Sequence, residues 1–232
     1  LLALNLPTVK AFGETEFWFA LIKIIAILTL IVVGLVMILT RFESEPGTTA
    51  GFENLWENGG FFPTGPMGFV AGFQIAVFAF VGIELVGTAA AETKDPEKNL
   101  PKAINSIPLR IMLFYVGALV VLMSVIPWTD FNAEESPFVG MFALAGLGTA
   151  AAVVNFVVLT SAASSANSGI YSTSRMVFGL AHDGDAPEAF GRLSRRKVPQ
   201  NALFFSCTFL LAGVVLLYAG DSVSAAFTLV TT

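Results

Sequence analysis

Two ionisable side chains stand inside long apolar runs. Lys23 lies in FALIKIIAILTLIVVGLVMILT, and Glu84 lies in FAFVGIELVG. A charge near the centre of a bilayer costs about 2.5–3.5 kcal/mol on insertion scales, so such a residue normally faces a water-filled site or a partner. Two readings fit Lys23. It can face such a site, or its long chain can snorkel to the interface only about six residues away. Two also fit Glu84. It can exchange a proton during a working cycle, or stay neutral and tie helices together. Gly82 and Gly87 flank it. Glycine lets a helix break and free backbone groups for a ligand, and it also simply lets helices pack closely.

A third feature is the polar run Thr160-Ser161-Ala162-Ala163-Ser164-Ser165-Ala166-Asn167-Ser168-Gly169. Small hydroxyls allow close helix approach and hydrogen bonding between helices; they could equally line a pathway or offer oxygens to a cation. No His or Lys base shares that segment, so a nucleophilic serine is not indicated. His182 falls in a polar stretch and reads as solvated. Cys207 is alone, which excludes a disulfide framework and a cysteine metal cluster. No metal ligand set and no cofactor are indicated.

The elements that must position these residues follow from composition. Of 232 residues, 55% are hydrophobic and 12% charged, with mean hydropathy +0.78. Soluble domains carry about 25% charged residues. Five apolar segments are expected as spans, at about 17–40, 67–91, 108–128, 138–174 and 201–220. The fourth is too long for one upright crossing at 1.5 Å per residue. It should be a tilted helix, or a short outer helix and a spanning one, with a bend near Gly146 and Gly148. Alternating ten-residue segments, the mark of a membrane barrel, are absent from the sequence. The chain opens on what reads as the tail of an earlier apolar segment and closes inside a new one, as a fragment would.

The loops alternate in charge. Lys10, the 92–107 connector with Lys94, Lys98 and Lys102, and the 175–200 connector with Arg175, Arg192, Arg195, Arg196 and Lys197 fall on one side. The 41–66 and 129–137 loops are mainly acidic. The positive-inside rule makes the basic side cytoplasmic. The 92–104 stretch, with its prolines, reads as a hinge or a solvated connector. A formal charge of −5 and the lack of a basic face argue against nucleic acid. No ring of repeated filter residues suggests a channel.

The stretches GFQIAVFAFVGIELVGTAAAETKDPEKNLPKAINSI and NFVVLTSAASSANSGIYSTSRMVFGLA, with TVKAFGETEFWFALIKIIAI near the start, closely resemble bacterial permeases of the amino acid–polyamine–organocation superfamily. The resemblance implies an all-α polytopic fold of the leucine-transporter type, with two inverted five-helix repeats. The chain would cover the end of the family's fourth helix, helices five to nine and the start of the tenth. It further implies proton-coupled symport of small neutral amino acids (D-serine, D-alanine, glycine) across a bacterial inner membrane by alternating access, not enzymatic chemistry. Alternatives are a permease or exchanger for other neutral or aromatic amino acids, or a non-transporting sensor. By motif, Phe78 is an aromatic gate, and Ala79, Phe80, Val81 and Gly82 form an unwound segment facing the substrate. Lys23 and Glu84 are the proton-coupling residues. Ser164 and Ser165 line the place a sodium ion takes in sodium-coupled relatives. The family's first helix, which grips the substrate carboxylate, has no counterpart in this sequence.

Overall fold

The computed structural model describes residues 5–6, 9–44, 47–83, 85–88, 93–131 and 135–219. These residues are mostly helical, and their one β-pairing is an isolated bridge between Glu43 and Thr49. The helices are α1 (Val9–Leu39), α2 (Asn54–Glu57), α3 (Gly65–Phe78), α4 (Leu85–Thr88), α5 (Pro96–Val125), α6 (Pro137–Leu144), α7 (Gly148–Asp183) and α8 (Gln200–Ala219). Among the described residues α1, α5 and α7 are long and apolar enough to cross a membrane, and α8 is a shorter apolar helix. Their large apolar side chains face outward, as with Phe17, Val32 and Leu39 on α1, and Val153, Phe156 and Leu159 on α7. Water would disfavour such surfaces; hydrocarbon accepts them.

The helix boundaries follow local chemistry. α1 starts at Val9, eight residues before the expected Phe17, because nothing but Gly13 interrupts helix formers there. α5 starts at Pro96, twelve residues before the expected span, so the 92–104 stretch is largely helix rather than connector. Asp95, at φ 48°, precedes it, and its carbonyl accepts from the N–H groups of Lys98 and Asn99. Pro96 occupies the first helical position, where no N–H is missed. Pro101 forfeits only one bond near that end. Pro108 falls mid-helix, and the helix widens into a π-helical stretch at Ile111–Gly117 just beyond it. The overlong fourth segment is two helices, α6 and α7, parted at Gly146, whose φ of 72° suits glycine. The second segment is also divided. α3 stops at Phe78, residues 79–83 are non-helical, and the described part of α4 is Leu85–Thr88.

The chain forms two compact units, one of Leu1–Phe19, Phe80–Ile104 and Ala162–Thr232, the other of Ala20–Ala79 and Asn105–Ser161. α1, α5 and α7 contribute residues to both. The second unit has an apolar core of Leu30, Met37 and Ile38 from α1, Ala118, Leu122 and Val125 from α5, Met141 and Phe142 from α6, and Ala151 and Val154 from α7. Its loops are pinned by backbone groups. Gly51 N–H and the Asn54 amide both donate to the Ser124 carbonyl, at 2.9 and 3.0 Å. The first unit has a smaller core of Ile170, Val198 and Leu203; polar side chains do much of its joining.

Candidate functional site

The helix that ends at Phe78 leaves its last carbonyls outside the helical ladder. The Phe78 side chain is outside what the structure describes. Ala79, Phe80 and Val81 are exposed, and Gly82 is half-buried at φ 103°, a conformation an L side chain rarely adopts. Leu85 N–H then donates to the Gly82 carbonyl at 3.2 Å, and the chain re-enters helix. This non-helical stretch coincides with the segment that the resemblance marks as unwound. Glu84 lies outside the described residues. A cavity of about 770 Å³ opens elsewhere, in the second unit, beside Ser44, Thr48, Asp130 and Glu135. None of the described candidate site residues lines it, though Gly146 does.

Beyond the break, α4 is tied to α7. Thr88 Oγ1 lies 2.9 Å from Ser172 Oγ, and Ser172 is buried. Farther back along α7 the polar run turns one edge inward. Ser164 and Asn167 are 1% and 0% exposed, whereas Ser165 is exposed. Both buried groups serve a residue that the sequence reading did not select, Glu16 on α1. Ser164 Oγ donates to Glu16 Oε2 at 2.6 Å, and the Asn167 amide donates to Glu16 Oε1 at 2.8 Å. Asn167 Oδ1 in turn accepts from the Asn5 amide at 2.6 Å. Bonds to a carboxylate are shorter and stronger than neutral ones. The seam continues one turn on, where Phe12 stacks on Tyr171 at 4.1 Å and the Arg175 guanidinium lies 3.3 Å from that ring's centroid.

The two serines expected to act together therefore differ. Ser164 belongs to the α1–α7 seam; Ser165 is on the outer face of α7. Lys23 is on α1, half-buried, in the second unit. His182 stands in the last turn of α7 rather than in a loop, exposed and stacked near Phe178. No cluster able to hold a metal occurs among the described residues.

Long apolar helices with outward hydrophobic faces, one broken at a glycine, define an all-α, multi-pass membrane protein. The chain belongs to the amino acid permease family, whose model matches residues 1–232. It is 67% identical, over all 232 of its residues, to the D-serine/D-alanine/glycine transporter of Escherichia coli (strain K12), covering 49% of that protein. It is 60% identical over 218 residues to the uncharacterized transporter YdgF of Bacillus subtilis (strain 168), covering 94% of this chain and 47% of that one. It is 58% identical over 218 residues to the amino-acid permease AapA of the same organism, with the same coverages of 94% and 47%. The chain thus spans about half the length of the curated relatives it matches. No solved structure matches it.

Proposed function

We propose that the protein takes part in proton-coupled symport of D-serine, D-alanine and glycine into the cytoplasm across a bacterial inner membrane, by alternating access. The observation that carries this reading is the 67% identity, along the whole chain, to a transporter named for those three substrates. The helix break supports it. Residues 79–82 carry polar backbone outside a helical ladder, and in an apolar setting such backbone persists only where it lines a cavity or is buried in protein. On this reading Ala79, Phe80, Val81 and Gly82 meet the substrate ammonium group, with Phe78 above it. Lys23 and Glu84 are the proton-linked pair. A protonated Lys23 bridges neighbouring helices, and loss of its proton loosens that bridge and biases the balance of states. Ser164 acts one step removed, as part of the seam that holds α7 to α1.

The test is uptake of labelled glycine, D-alanine and D-serine by the full-length gene product in proteoliposomes, with and without an inward proton gradient. The expected result is gradient-driven accumulation of all three, weakly competed by large aromatic amino acids. Lys23→Ala should lose accumulation while retaining substrate binding. Gradient-independent exchange, or accumulation of other amino acids alone, would replace the symport or the substrate assignment respectively.

A further inference from the structure

The connector between α7 and α8 holds a basic group that the transport reading does not use. Arg192, Arg195, Arg196 and Lys197 are all exposed, within six positions. Arg195, Arg196 and Lys197 are presented by a hydrogen-bonded turn, with Arg192 just before it. Lys197 N–H donates to the Ser194 carbonyl and Ser194 N–H donates to the Val198 carbonyl, both at 2.9 Å. Val198 N–H donates to Ser194 Oγ at 3.2 Å. Lys197 takes φ 59° to close this turn. Val198 is 1% exposed in the core of the first unit, so the turn is anchored from below. Arg195 and Arg196 sit at its tip. The connector's acids, Asp183, Asp185 and Glu188, all precede this group in the chain.

An aromatic ladder stands beside the turn. The Asn201 amide donates to the Ala189 carbonyl at 2.7 Å and holds the Glu188–Gly191 turn against the start of α8. That contact sets Phe190 5.0 Å from Phe205, which is 5.1 Å from Phe209. Phe205 and Phe209 are 41% and 63% exposed, and Leu193 is 51% exposed. Cations at the end of an apolar helix attract an anionic headgroup, and an exposed aromatic strip below them suits an acyl chain.

We infer that the Arg192–Lys197 turn with Phe190, Phe205 and Phe209 is a binding site for an anionic phospholipid. The turn takes the phosphate-bearing headgroup and the phenyl ladder takes one acyl chain. Soluble phosphates fit half of this arrangement, because they leave the ladder uncovered. The inference requires the membrane setting and does not depend on which amino acid is carried.

The test uses the full-length protein in nanodiscs with photoactivatable phosphatidylglycerol or phosphatidylcholine, and mapping of the labelled peptides. Phosphatidylglycerol should label the 190–209 region in preference to phosphatidylcholine. The preference should fall as salt is raised, and excess glycerol phosphate should not remove it. R195Q/R196Q, which keeps Arg192 and Lys197 to hold topology, should lower the preference by up to about fivefold for each cation removed. Equal labelling by the two lipids, an unchanged preference in that variant, or displacement by glycerol phosphate would each overturn the inference. The salt dependence of the unaltered protein decides the matter even where the variant fails to fold.

Discussion

Removing the carboxylate of Glu16 should loosen the α1–α7 seam by an amount the geometry bounds. Glu16→Ala deprives Ser164 Oγ and the Asn167 amide of their acceptor, at 1% and 0% exposure. In soluble proteins a bond to a charged group contributes about 1.5–3 kcal/mol. Between membrane helices the measured average is about 0.6 kcal/mol with a maximum near 1.7, because the separated helices find other partners. Two such bonds give a loss of about 1–3 kcal/mol. Glu16→Gln keeps one acceptor oxygen and should lose roughly half of that. Unfolding of the full-length protein by SDS in mixed micelles measures it. Combining Glu16→Ala with Ser164→Ala should give a coupling energy on the order of 1 kcal/mol, since the two side chains touch. Ser165→Ala, on the exposed face next door, should stay within about 0.5 kcal/mol. Additive Glu16 and Ser164 effects, or equal costs for Ser164→Ala and Ser165→Ala, would refute the seam.

Three other outcomes are expected. Gly34→Ala sets a new Cβ against Val121 Cγ1 and 3.3 Å from Met141 Sδ. It should cost about 1–3 kcal/mol in the same unfolding assay, and Val121→Ala on top of it should restore most of the loss. Gly82→Ala places a side chain at φ 103°, a strain of about 1–3 kcal/mol; uptake by the full-length protein should fall, and a variant with full uptake would remove any need for that backbone conformation. In the 41–57 loop, Glu53 is held below the usual glutamate range by its own backbone hydrogen bond first, and then by its ion pair with Arg41. A lowered folded pKa means its support is fully present above the ordinary glutamate value and is lost as pH falls through the lowered one. Hydrogen-exchange protection of that loop, taken relative to the intrinsic rate at each pH, should therefore hold down to the ordinary value and fall only below it. Arg41→Gln should move that change to higher pH.

The class of fold was legible because bilayer thickness imposes a coarse rule, and runs of about 20 apolar residues satisfy it without reference to any partner. Positions of breaks were legible where glycine marked them, as at Gly146. Helix starts were harder to read. Expecting span one at Phe17 left Glu16 one residue outside it, whereas helix from Val9 places it two turns inside. The available signal was its spacing of seven from Lys23, two turns on one helix face. Prolines misled in the 92–104 stretch, since Pro96 takes the first helical position, where no N–H is missed, and Pro101 gives up a single bond that the rest of α5 outweighs.

The polar run of α7 shows why residue type alone could not divide packing from pathway. Ser164, Asn167, Ser172 and Ser174 are buried, and each has a named use: Glu16, Glu16 with Asn5, Thr88, and the Tyr171 carbonyl respectively. Three of these four join α7 to another segment. In hydrocarbon, helices gain nothing from hiding apolar surface, so polar bonds and close packing must hold them together. That need is sharpest where a helix is broken. The Thr88–Ser172 contact attaches α4 to α7 just beyond the non-helical stretch. The same helix thus steadies the broken segment at Ser172 and α1 at Ser164 and Asn167. A change along the α7 seam would consequently reach the residues proposed to meet substrate without touching any of them.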